Sequence, residues 1–125
     1  MSDKEELFKE INRIKDPNNM TDLEKKHDVT INAPDSVKTG ETFEVELLVG
    51  EKMTHPNMPG HWIQYIELYA GDALISRFDM NAATITTPRV KITVQLPAWA
   101  SPVLVARERC NLHGVWEAKK KIKIT

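Results

Sequence analysis

From Val29 onward apolar residues recur at every second position, and that period leaves few folds open to the chain. Phe43, Val45, Leu47 and Val49 alternate with Glu44 and Glu46, and Val90, Ile92, Val94 and Leu96 alternate with Lys91, Thr93 and Gln95. Successive side chains of an extended strand point to opposite faces, so each run buries one face and wets the other. Turn residues interrupt the runs at short intervals: Pro34, Lys38-Thr39-Gly40, Gly50 to Gly60 with Pro56 and Pro59, Gly71-Asp72, and Pro97 with Pro102. Seven strands result, over residues 29–31, 43–49, 62–69, 73–79, 90–96, 103–109 and 116–124. The pattern predicts an all-β chain, a seven-stranded antiparallel β-sandwich of the immunoglobulin-like type.

The N-terminal part has a different period. Ser2 and Glu5 have capping-box spacing, and Leu7, Phe8, Ile11 and Ile14 fall on one helical face before Asp16-Pro17. Residues 2–15 therefore predict a short amphipathic N-terminal helix lying over the core, with contact to a neighbouring subunit as the other use of its face. After a turn-rich connector at residues 16–20, Thr21 and Glu24 predict one capped helical turn leading to His27. The division expected is a helical arm and connector over residues 1–23 and a sandwich domain over residues 24–125.

Charge and cysteine content narrow the setting. With 17 Lys and Arg against 18 Asp and Glu, nothing favours a nucleic-acid or membrane partner. No stretch has the length of a membrane span, and the N-terminus lacks the features of an export signal. A single cysteine cannot form an intramolecular disulfide, which fits a reducing, cytoplasmic setting and leaves the sulfur available as a thiol or a ligand.

That cysteine stands in Cys110-Asn111-Leu112-His113-Gly114-Val115-Trp116. A thiolate and an imidazole three residues apart can close on one metal ion if other ligands arrive from elsewhere. Strand parity supplies them: if the seven strands alternate up and down, His27, His55, His61, Cys110 and His113 all lie at one end of the sandwich. Structural zinc closes with four ligands, and blue copper takes two histidines, a cysteine and a weak axial methionine. Five N and S donors exceed both sets and suit an iron ion with four imidazoles around it and the thiolate below. Two other readings stay open: a metal-free binding module like the carrier proteins of sulfur oxidation, and a copper electron-transfer protein.

His55-Pro56-Asn57, then His61, Tyr65-Ile66-Glu67-Leu68-Tyr69 and the cysteine motif together resemble the superoxide reductases of the one-iron neelaredoxin type, in the desulfoferrodoxin iron-binding family. The resemblance covers residues 24–125. It implies an immunoglobulin-like domain holding one iron per subunit, cycling between Fe(2+) and Fe(3+). The ligands implied are His27, His55, His61 and His113 in the equator and Cys110 on the axis. It also implies reduction of superoxide, with one electron and two protons, to hydrogen peroxide. Rubredoxin or a similar small donor would restore the ferrous state, in a homo-oligomer that is often tetrameric in the family. The backbone N–H groups of Leu112 and His113 are placed to donate to the Cys110 sulfur.

The chain departs from the family at its first ligand. Members usually read Glu-Lys-His, whereas this chain reads Glu24-Lys25-Lys26-His27. Lys26 keeps the lysine position beside the site. Glu24 stands one residue too far back, so it reaches the iron only if the loop bulges, and the expectation is that it makes no iron bond.

Overall fold

The alternating apolar faces close on one another as two sheets. The computed structural model describes residues 10–82 and 86–125. Its elements are α1 (Asp22–His27), β1 (Val29–Asn32), β2 (Ser36–Val37), β3 (Thr42–Val49), β4 (Ile63–Ala70), β5 (Ala73–Asp79), β6 (Arg89–Gln95), β7 (Val103–Cys110), β8 (Gly114–Lys121) and β9 (Lys123–Ile124). One antiparallel sheet has the order β1-β3-β6, the other β5-β4-β7-β8, and β2 pairs with β9 in a short parallel clip. The seven main strands are the seven period-two runs; the two-residue β2 and β9 carry too few residues to show a period.

Val45 and Leu47 on β3, Ile66 and Leu68 on β4, and Leu104 and Ala106 on β7 are fully buried between the sheets. Each large aliphatic side chain so placed contributes about 1.5–3 kcal/mol. The inward positions follow the alternation, so the pairing register is fixed by which face can be dry.

Register also brings chosen strand ends together. Val29 at the start of β1 faces Val49 at the end of β3, Ile63 at the start of β4 faces Cys110 at the end of β7, and Cys110 faces Gly114 at the start of β8. The segments that precede or follow these residues, helix α1 among them, carry all four histidines, so the parity expected from the sequence is the parity observed.

Helix α1 enters β1 through a single residue, Asp28. Thr21 caps it: the Thr21 hydroxyl accepts from Glu24 N–H, and the Glu24 carboxylate accepts from Thr21 N–H. This is the capping box expected at residues 21–24, and it places His27 in the last turn.

The helix expected at residues 2–15 is corrected where it can be seen. Residues 2–9 lie outside the described residues, and residues 10–15 are not helical. Asn12 forms a parallel bridge to Trp116: its N–H donates to Val115 C=O at 2.8 Å, and its C=O accepts from Glu117 N–H at 2.9 Å. The outer edge of β8 presents unpaired backbone groups, and pairing with them outweighs the marginal stability of a short helix. Arg13 then reaches the buried Glu117 carboxylate at 3.0 Å, which Arg107 grips at 2.8 Å from the other side.

Gly50 closes the fold beneath α1. Its φ is 75°, and a Cβ there would lie 2.7 Å from Met53 O, 3.0 Å from His55 N and 3.1 Å from Lys26 O. The His27 helix and the His55 loop therefore meet across a position only glycine fills.

Two outcomes follow from these contacts. Gly50→Ala, forced into a left-handed conformation and against three backbone atoms, should lower the stability of the metal-free protein by more than about 2 kcal/mol in urea unfolding. Glu117→Gln should cost about 1–2 kcal/mol at neutral pH, a charged hydrogen-bond loss reduced because both arginines are partly exposed. Burial alone would raise the Glu117 pKa, but hydrogen bonds from Arg107 and Arg13 hold it below the usual carboxylate value. A depressed folded value means the contribution is present at neutral pH and lost as pH falls through it, so the stability gap between parent and variant should shrink in acid.

Candidate metal centre

Three imidazole nitrogens point into one place with nothing to bond. The Nε2 atoms of His27, His55 and His61 are buried and have no hydrogen-bond partner among the described residues. A buried polar atom without a partner costs about 1–3 kcal/mol, so three together are an arrangement built for something that satisfies them. Donor atoms of His27, His55, His61 and Cys110 all lie within 4.8 Å of one another. Neutral imidazole and thiolate are ligands for borderline metals, and a group of this kind fits an iron site.

His113 stands beside this group rather than within it, its Nδ1 3.5 Å from the Cys110 sulfur. The four rings nevertheless form a closed cycle. Consecutive centroids are 4.8 Å apart for His27 and His55, 4.7 Å for His55 and His61, 5.2 Å for His61 and His113, and 4.9 Å for His113 and His27. All four contacts are edge-on, with interplanar angles from 70° to 80°. Four imidazoles standing edge to edge enclose a central space towards which nitrogens can converge.

The surroundings set which nitrogen faces inward. His27 Nδ1 donates to Leu23 C=O at 2.6 Å, one turn back along α1, and His55 Nδ1 donates to Pro56 C=O at 2.6 Å. Each bond leaves Nε2 unprotonated, in the form a metal requires. Burial, with the neighbouring imidazoles adding to it, pushes His27 down to about 3 and His55 to about 4. Both rings are thus neutral across the physiological range. Trp116 stacks on His27 at 5.1 Å and donates its indole N–H to His113 C=O at 3.0 Å, so one ring braces both histidines.

Cys110 is fully buried at the end of β7. Burial pushes its thiol up, and the N–H groups of Leu112 and His113 pull it back by donating to the sulfur, as the sequence suggested. Glu108 lies two residues earlier on the same inward face, fully buried, with neither carboxylate oxygen bonded among the described residues. Burial raises its pKa well above the usual carboxylate value. The sequence reading gave it no role; its register with Cys110 along β7 was the signal.

Lys26 and Glu24 separate. After burial, the charge of Lys26 is among the influences that lower the pKa of both His55 and His61. Glu24 is turned away: one oxygen accepts from Thr21 N–H at 2.9 Å and the other from Lys15 N–H at 3.1 Å. Its pKa is lowered, most by the backbone bond from Thr21. Gly50 and Trp116 were also passed over as positioning residues, the glycine because a loop glycine looks ordinary until the two backbones it separates are seen.

Comparison with known proteins agrees with this geometry. The desulfoferrodoxin family pattern matches residues 19–119. A relative from Methanocaldococcus jannaschii is 41% identical over 114 residues, covering 90% of this chain and 92% of its own. The structure of superoxide reductase (neelaredoxin) from Ignicoccus hospitalis superposes with a TM-score of 0.77 at 33% identity, covering 97% of this chain and 98% of that one. The sulfur carrier protein SoxY from Chlorobium limicola f thiosulfatophilum covers 78% of each chain with a TM-score of 0.58 but only 16% identity, a likeness of fold alone. The chain belongs to the desulfoferrodoxin family, as a superoxide reductase of the neelaredoxin type.

Proposed function

We propose that the four imidazoles of His27, His55, His61 and His113 and the thiolate of Cys110 hold one iron ion per subunit, and that the chain reduces superoxide to hydrogen peroxide there. The observation that carries this reading is the set of three buried, unpartnered Nε2 atoms within 4.8 Å of the one cysteine sulfur. Bound in such a set, iron would supply one electron per turnover, as Fe(2+) going to Fe(3+). Rubredoxin or a similar small donor returns the electron, and two protons complete the peroxide. The cytoplasm is the proposed location, in keeping with the single cysteine, and a homo-oligomer is the proposed assembly.

The roles of the protein groups follow from their contacts. Leu23 and Pro56 carbonyls fix the tautomers of His27 and His55, so no proton competes for the inward nitrogens. The N–H groups of Leu112 and His113 withdraw density from the sulfur and moderate its donation to the metal. Half-buried His61 and His113 border the side nearest solvent, where anion and protons enter. Lys26 attracts superoxide; at ~8 Å and an effective dielectric of ~20 the attraction is about 2 kcal/mol. Glu24 holds the end of α1 and makes no iron bond.

Anaerobic reconstitution with Fe(2+), iron counting and pulse radiolysis test the reading, which fails if the pure protein takes up no iron or leaves superoxide decay unchanged. Lys26→Ala should retain iron and lower the second-order rate constant for superoxide about tenfold, an effect that fades with added salt. An unaltered constant at low salt would remove Lys26 from capture. Cys110→Ser should abolish the thiolate-to-iron charge-transfer band of the ferric protein; a band of the same position and intensity would refute ligation by that sulfur.

A further inference from the structure

We infer that Asn111 is a positioning residue for His61, a clamp tying the loop that carries this histidine to the turn that carries Cys110 and His113. The inference rests on the ligand reading above and adds to it a residue that touches neither metal nor substrate.

His61 is the histidine whose ring the protein holds least. His27 and His55 are buried and anchored through Nδ1 to carbonyls, whereas His61 is half-buried and its ring has no hydrogen bond among the described residues. Its ring meets those of His55 and His113 edge-on without a hydrogen bond, so its placement leans on its backbone. On one side a tight turn supplies part of this: Met58 N–H donates to His61 C=O at 3.1 Å, His61 N–H donates to Met58 C=O at 3.0 Å, and Gly60 turns the chain at φ 92°. Those bonds are internal to the loop and relate it to nothing else.

Asn111 provides the missing link. Its Oδ1 accepts from Trp62 N–H at 2.9 Å, and its Nδ2 donates to Gly60 C=O at 2.8 Å. Its own N–H donates to Trp62 C=O at 3.2 Å. The residues before and after His61 are thus gripped by one side chain that neighbours Cys110. The β4–β7 ladder does not do this by itself, because its register is irregular between Ile63 and Tyr65, just past His61. An amide on a one-carbon stem presents an acceptor and a donor side by side at that reach; aspartate lacks the donor and serine lacks the second group.

Two measurements on the full chain test the clamp. In the metal-free protein, Asn111→Ala should speed amide hydrogen exchange at Trp62 about tenfold or more and leave Val45 and Leu47 unchanged. With Co(II) as the probe metal, it should weaken binding about 10- to 100-fold while preserving the thiolate-to-cobalt band. In a His61→Ala background the same substitution should change affinity less than about twofold, since the group it positions is gone. Asn111→Asp, which keeps the acceptor, should fall between parent and alanine variant, and it carries the same cycle if the alanine variant does not fold. Unchanged Trp62 exchange, or an equal loss of affinity with and without His61, overturns the role. A parent that binds no Co(II) while Trp62 exchange still responds overturns the ligand reading and leaves Asn111 as a loop contact only.

Discussion

Everything at this end of the molecule depends on holding four imidazoles edge to edge with their inward nitrogens unprotonated. Left to themselves, neighbouring histidines would share protons or turn outward to water. Here burial makes the charged forms costly, and the carbonyls of Leu23 and Pro56 occupy the outward nitrogens of His27 and His55. The metal-free protein therefore carries unsatisfied polar atoms inside the ring of imidazoles, which a bound cation would relieve. Affinity and stability are coupled at such a site, because whatever fills the ring removes a cost already present in the fold.

The sandwich makes that arrangement affordable by dividing the labour between sheets. β1 and β3 deliver His27 and His55 from the three-stranded sheet, while β4, β7 and β8 deliver His61, Cys110 and His113 from the four-stranded one. Each half is rigid through its own ladder, so precision is needed only where the halves meet. Gly50 lets the helix and the His55 loop approach on the first side, and Asn111 joins loop to turn on the second. Trp116 crosses between them, stacked on His27 and bonded to His113 C=O.

The parts of this design that show in the sequence are those with a period or a rare residue type. Alternation at Val45, Leu47 and Val49 announces a strand with a dry face whatever surrounds it, and a single cysteine near a histidine stands out in any chain. Parity then carried the histidines to one rim without knowledge of which strands pair. Residues 10–15 misled for a physical reason: Ile11 and Ile14 fit a helical face, but the groups that decide are the unpaired N–H and C=O of β8, 100 residues away in sequence. Gly50 and Asn111 do not show in the sequence because their roles are defined by neighbours distant in the chain, and no spacing rule points to them.

Glu24 shows how a side chain's place along a short helix sets its work. Counting back from His27 by three places Glu24 on the same face of α1, about 4.5 Å lower along the axis. Side chains on a helix lean toward its N-terminus, which takes the carboxylate away from the histidine and toward the free N–H groups of the first turn. There Thr21 and Lys15 N–H occupy both of its oxygens. To reach the ring, Glu24 would have to abandon a capping box and a bond to the incoming segment, at a cost of about 1–2 kcal/mol from the cap alone. Lys26, next to His27, lies close enough for its charge to bear on His55 and His61. Glu24 is therefore part of the scaffold that aims His27, its carboxylate committed to the start of α1 and to the incoming segment rather than to the ring.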